Sequence, residues 1–207
     1  MSPPRLLLAS ASPARRLLLQ QVGISASVLP SEVDEAALLT DLAERYGVLE
    51  PADLVLSLAR AKAEDVAHDT DSLVLGCDSM LELDGEVHGK PADAAEAIQR
   101  WRRMRGKSGI LHTGHWLIDD RDEGSGGLVG ATASTVVHFA DLSDAEIEAY
   151  VATGEPLRVA GAFTVDGLGG AFVTGIEGDH HNVVGLSLPL LRDLLRDVGV
   201  AWFDVVD

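Results

Sequence analysis

Cysteine is almost absent from this chain. Cys77 is the single one among 207 residues, which rules out an internal disulfide framework and suits a reducing compartment. Basic residues are scarce as well: 16 Lys and Arg stand against 33 Asp and Glu, for a formal net charge of −17. That balance argues against a nucleic-acid-binding face and against docking on anionic lipid, so an anionic substrate must be met by a local cluster of cations. No run of 18 apolar residues is present, and Arg15 and Arg16 interrupt the apolar stretch near the start. Neither a spanning helix nor a signal peptide is expected; a cytoplasmic protein that meets no membrane is. Neither GxxxxGK[ST] nor a GxGxxG after a strand occurs, and no repeat or long linker divides the chain. Residues 1–207 therefore read as one domain with ample capacity for a core.

What is present begins with Leu6 to Leu19, LLLASASPARRLLL. An apolar strand enters a turn of small and hydroxylated residues, and a helix then opens with Ser12 as N-cap and Pro13 in its first turn. Free backbone N–H groups and a helix dipole converge there, and two arginines follow, which suits a phosphate chain; a plain buried strand running into a helix produces the same pattern. Ser25 to Leu29 reads as a short strand, and the SEVDEAAL that follows as a solvated acidic loop. A helix is expected from Pro51 to about His68, with Leu54, Leu58, Ala61 and Asp65 near one face and Lys62 displaced from it. Ser72 to Cys77 is an apolar strand with Asp78 at its end. Asp84–Gly85 marks a hairpin that sets Asp78 and Lys90 on either side. A helix from Pro91 and Asp93 to about Met104, strands at Ile110–Ile118 and Leu128–Phe139, and a capping box of Ser143 and Glu146 come next. After them lie a Gly-rich segment, 154–178, and a last helix from Pro189.

Among candidate sites, Asp78 at a strand end suits a catalytic or metal-binding carboxylate, or a mere turn cap. Glu32, Asp34 and Glu35 could add oxygen ligands for magnesium, or simply be solvated. His112 and His115, three apart in a strand, point to opposite faces and do not share an ion. His180 and His181 read as a surface loop, and Cys77 as an inert buried thiol.

Several of these pieces resemble the Maf family of nucleoside triphosphate pyrophosphatases. LASASPARRLLL resembles that family's LASxSPRRxxLL opening, and SEVDE, LARAKA, LGCDSML, GKP, STVVHFADLSDAEIEAYVATGEP and AGAFTVDGLGGAFVTGIEGDHHNVVGLSLP are similar to its later blocks in the same order. The resemblance implies an α/β fold, with a long mixed β-sheet flanked by helices in two lobes around a central cleft, of the Maf/ITPase-like kind. It also implies a magnesium- or manganese-dependent enzyme, commonly a homodimer, that splits a nucleoside triphosphate into monophosphate and pyrophosphate. Ser10, Arg15, Glu35, Lys62, Asp78 and Lys90 fall on the family's active-site positions, with Asp78 as the proton acceptor and, with Glu35, a metal ligand.

The chain departs from the family at three specificity positions. Ala14, Ser79 and Asp166 match neither the Arg, Thr and Gln of the subgroup acting on dTTP and UTP nor the Trp, Gln and Glu of the one acting on 7-methyl-GTP. The usual DKAG after GEP is replaced by Arg158, Val159, Ala160 and Gly161. Base preference is thus left open, as are two rivals: a non-catalytic nucleotide-binding regulator of septum formation, and a sanitiser of deaminated purine triphosphates.

Overall fold

The computed structural model describes residues 4–207. They run as β1 (Leu6–Leu8), α1 (Pro13–Gln21), β2 (Ser27–Val28), α2 (Glu35–Tyr46), α3 (Pro51–Val66), β3 (Leu73–Leu83), β4 (Glu86–His88) and α4 (Ala94–Met104). β5 (Ser108–Asp119), β6 (Leu128–Phe139), α5 (Asp144–Ala152), β7 (Val173–Glu177), α6 (His180–Val184) and α7 (Leu188–Asp197) follow, with short three-ten turns between. The seven strands form a mixed sheet in the order β2-β1-β3-β5-β6-β7, with β4 paired to β3. β1 is parallel to β2 and β3, whereas β4 is antiparallel to β3 and β7 to β6. The fold is α/β, as the resemblance implied.

Packing divides the chain into two units. One holds residues up to Asp78, Thr113–Ala133 and Gly185–Asp207; the other holds Ser79–His112 and Ser134–Val184. In the first, alternation along the strands sends Leu6, Leu8, Leu73, Leu75 and Leu117 into a cluster with Leu19 of α1 and with Leu191, Leu194 and Leu195 of α7. Leu7, Val74 and Ile118 turn the other way, against Ala63 and Val66 of α3. Both faces are buried, which is why these strands read as unbroken apolar runs. In the second unit Trp101 of α4 is the hub: its ring meets Phe139, Tyr150 and Phe172 edge-on at 5.8, 5.5 and 6.0 Å, and its Nε1 donates to Ala162 O at 2.8 Å.

The structure corrects three local expectations. β3 does not stop at Cys77, because Met80, Leu81 and Leu83 stay buried and β4 supplies a partner in the register Leu81↔His88 and Leu83↔Glu86. Asp78 is therefore inside a strand. The hairpin itself is as expected, with positive φ at Asp84 (53°) and Gly85 (79°). The acidic segment does not stay a loop: Asp34 caps α2 by accepting from Ala37 N at 3.0 Å, and only Leu42 of that helix is buried, so little periodicity announced it. The buried stripe of α3 is Val55, Leu58, Ala59, Ala63 and Val66. At helical spacing Lys62 belongs beside that stripe, not away from it.

Two glycines let α3 come close. A Cβ on Gly76 of β3 would collide with Ala59 O and lie 2.8 Å from Ala63 N, and one on Gly114 of β5 would collide with the Val55 carbonyl. Thr132 Oγ1 donates to Ala52 O at 2.7 Å and holds the start of the same helix. Gly76→Ala and Gly114→Ala are expected to destabilise the protein by about 1–3 kcal/mol each through overpacking, read as a lower midpoint in urea unfolding. Unchanged midpoints would mean that α3 has room to spare.

Candidate functional site

A buried carboxylate in a strand needs a cation, and α3 delivers one. Asp78 is 8 % exposed, and its Oδ1 accepts from Lys62 Nζ at 2.6 Å. The same ammonium meets Glu35 Oε1, on the first residue of α2, at 2.7 Å. The Lys62 and Asp78 side chains are nearly enclosed while Glu35 is half exposed, so the trio opens to solvent on the Glu35 side. Burial pushes the Asp78 carboxyl above its ordinary value, against the opposing pull of Lys62 and Arg15. Cys77 next to it is fully enclosed, as expected, and burial pushes its thiol up to about 11.

Arg15 is buried rather than displayed. Its Nε donates to Gly185 O at 2.6 Å, and its Nη1 donates to Ser10 Oγ and Cys77 O at 2.9 Å each. The guanidinium thus ties the turn after β1 to the backbone of β3 beside Asp78. Ser12 caps α1 as expected, accepting from Arg15 N at 3.5 Å. A hollow of about 370 Å³ lies over that turn, lined by Ser10, Ser12, Pro13, Arg16, Leu17 and Gln20 among others. Of the two arginines that the phosphate reading singled out, Arg16 faces this hollow. Ala14 is half-buried on the first turn of α1.

Lys90, Ser79 and Asp166 belong to the second unit. Lys90 is exposed, on a loop gripped on both sides. Gly89 O accepts from Arg100 Nη1 at 2.5 Å and from Gly161 N at 3.0 Å, while Ala92 N donates to Glu96 Oε2 at 2.8 Å. Arg100 and Glu96, one helical turn apart on α4, are themselves paired. Neither was visible as a functional residue in the sequence, where the arginines of this helix look like dipole complements. Asp166 is exposed and accepts a hydrogen bond from Thr164 Oγ1. Its loop is organised by Glu155, whose carboxylate accepts from Leu168 N at 2.9 Å, Gly169 N at 2.8 Å and Tyr150 Oη at 2.8 Å.

The histidines separate as expected. His115 Nδ1 donates to Thr113 O at 3.0 Å and its Nε2 accepts from Ser187 N at 2.8 Å, a structural arrangement. His112 lies between Glu82 Oε2 at 3.0 Å and Ser134 Oγ at 2.8 Å.

The sheet thus carries a buried aspartate that shares one lysine ammonium with a second carboxylate. The Maf-like protein family profile matches residues 5–198, and the chain belongs to the Maf family. It is 57 % identical over 204 residues to a nucleoside triphosphate pyrophosphatase of Salinispora tropica, covering 96 % of this chain and 85 % of that one. A protein of the same name from Streptomyces coelicolor is 56 % identical, covering 94 % and 91 %, and one from Leifsonia xyli subsp. xyli is 51 % identical, covering 97 % and 96 %. Among solved structures, a HAM1 protein from Coxiella burnetii is similar with a TM-score of 0.46 at 15 % identity, covering 94 % of this chain and 99 % of that one.

The raised Asp78 carboxyl makes a signed prediction. A group whose folded value lies above its unfolded one, here about 3.8, contributes stability that is present below the unfolded value and lost as pH rises through the folded value. Asp78→Asn is therefore expected to melt at the same temperature as the parent or higher at neutral pH, with the gap closing toward pH about 4. A variant markedly less stable at neutral pH would reverse the sign and make Asp78 a net stabiliser.

Proposed function

We propose that this chain, as a single Maf-like domain, hydrolyses nucleoside triphosphates between the α- and β-phosphates, releasing the monophosphate and pyrophosphate. The observation that carries the reading is the buried Asp78 bonded to Lys62 at 2.6 Å, in a chain 51–57 % identical to proteins named for that activity. The Asp78 carboxylate takes the proton of the water that attacks the α-phosphorus, and burial, by lifting its affinity for a proton, makes it a better base. Lys62 and Lys90 act as point charges on phosphate oxygens, and Ser10 and Arg15 shape the turn that receives the phosphate chain. A non-catalytic regulator has no need of a buried base, and that reading is not favoured.

Two carboxylates converging on one cation are the hard oxygen donors that magnesium or manganese prefers, so the residues fit such an ion. Asp78 and Glu35 would hold it, in competition with the Lys62 ammonium. When bound, it supplies charge for the phosphoryl oxygens and the pyrophosphate leaving group. A cytoplasmic location and a homodimer complete the proposal; no helix among the described residues is long and apolar enough to cross a membrane.

Purified protein offered a panel of triphosphates, with magnesium or with a chelator, is expected to release pyrophosphate only with the metal. Asp78→Asn should lower kcat by about 10² or more while nucleotide still binds. Lys62→Ala and Lys90→Ala should weaken binding and turnover together, because charge–phosphate contacts exist in the ground state and strengthen in the transition state. Binding of nucleotides with no turnover of any would restore the regulator, and a marked preference for inosine or xanthosine triphosphate would restore the sanitiser.

Base preference is read from Asp166, with Ala14 and Ser79 each smaller than the family's residues at those positions. An ionised carboxylate accepts hydrogen bonds and donates none, so it suits the N1–H and N2–H₂ donors of guanine, or the amino group of cytosine, over the carbonyl-flanked N3–H of uracil. A contact of this kind is worth about 1–3 kcal/mol, so the preference is expected to be blunt. Comparing kcat/KM for GTP, 7-methyl-GTP, CTP, UTP and dTTP should show guanine or cytosine ahead, and Asp166→Gln should narrow the gap. A UTP or dTTP preference unmoved by that substitution would leave Asp166 as the acceptor for Thr164 and nothing more.

A further inference from the structure

Three side chains that the proposed chemistry does not use stand together after β7. Asp179, His180 and His181 each present one ligand-type atom within 4.8 Å of the other two, and among the described residues this is the group of three such side chains that converges in this way. His181 Nδ1 is 2.9 Å from Asp179 Oδ1, and the two imidazoles lie with centroids 3.8 Å apart and planes 38° from parallel.

Their backbone is fixed on both sides. Thr135 Oγ1 of β6 donates to Asp179 O at 3.0 Å, and His181 N donates to Asp179 Oδ1 at 3.0 Å. The next residue, Asn182, is fully buried and donates to Leu111 O at 3.1 Å and to Thr135 Oγ1 at 3.0 Å. What remains adjustable is the exposed His180 side chain and the His181 ring, itself 30 % exposed, so an ion can enter from solvent.

We infer that Asp179, His180 and His181 bind one divalent transition-metal ion. Two imidazole nitrogens and one carboxylate oxygen are the donor set of zinc, cobalt and nickel rather than of magnesium, and three protein ligands leave a position for water. The three atoms lie within 4.8 Å of one another, against the roughly 3.4 Å between ligands of a tetrahedral ion with bonds of about 2.1 Å, so the assignment requires the exposed His180 side chain to turn inward. A chain of net charge −17 also raises the local concentration of cations around such a site. The structure places this His pair in the first turn of α6, not in the surface loop expected of it.

The test uses tag-free, full-length protein titrated with Co²⁺ in a large excess of Mg²⁺, which keeps the site proposed at Asp78 and Glu35 filled, following the visible d–d absorption, with Zn²⁺ as competitor. The expected result is about one Co²⁺ per chain, retained against the Mg²⁺ and displaced by Zn²⁺, with each of His180→Ala and His181→Ala weakening binding at least about tenfold. Asp78→Asn and Glu35→Gln should leave that binding unchanged, which separates this site from the pair proposed for magnesium. Because His180 is exposed, His180→Ala is expected to keep the parent's circular dichroism and melting point, so its loss of Co²⁺ cannot be put down to misfolding. No Co²⁺ band, a band undiminished in the histidine variants, or a band lost with Asp78→Asn would each overturn the assignment.

Discussion

One ammonium sets the electrostatics of the candidate site: Lys62 Nζ lies 2.6 Å from Asp78 and 2.7 Å from Glu35. A carboxylate enclosed within a strand costs several kcal/mol unless a cation meets it. Here the cation arrives on a helix, and the helix arrives because Gly76 and Gly114 give its backbone nothing to strike. Ala59 and Ala63 keep the same contact thin from the other side. The chain of cause thus runs from four small residues, through a close helix–sheet contact, to the electrostatics of one aspartate.

Arg15 repeats the theme with a different outcome. The family motif presents it as a phosphate ligand, yet its Nε and Nη1 are given to Ser10, Cys77 O and Gly185 O, all inside the first unit. A planar fork with five donors can brace a turn and still carry charge near Asp78, which a lysine, with one mobile ammonium, could not do. The turn after β1 is therefore braced from within, and Arg16, one residue on, is the arginine that lines the hollow above it.

In the second unit, Lys90 and Asp166 sit on loops, and charged side chains fix the backbone of both. Arg100 and Glu96 grip the backbone on either side of Lys90, and Glu155 gathers two N–H groups and a tyrosine hydroxyl to shape the loop of Asp166. Cβ atoms on Gly167 and Gly169 would collide with Glu155 and with the Tyr150 hydroxyl, so the glycines there reflect close approach as much as turn geometry. Charge in these places acts on backbone first, and through it on the side chains that face solvent.

The sequence by itself determined the strand–turn–helix opening, the caps at Ser12 and Ser143 and the hairpin at Asp84–Gly85, because each depends on local dihedral preference and on hydrophobic period, while the α/β class came from the family resemblance. It also placed Asp78, Lys62 and Glu35 on one family pattern. It did not show α2, which buries only Leu42 and so leaves almost no periodic trace, nor that β3 continues past Asp78 with β4 as its partner. Only tertiary structure decided that Lys62 lies beside the buried stripe of α3, that one ammonium serves two carboxylates, that Arg15 turns inward, and that Asp179, His180 and His181 converge. Each is a meeting of groups brought to one point by packing between elements, and local sequence preference carries no information about which backbones can approach that closely.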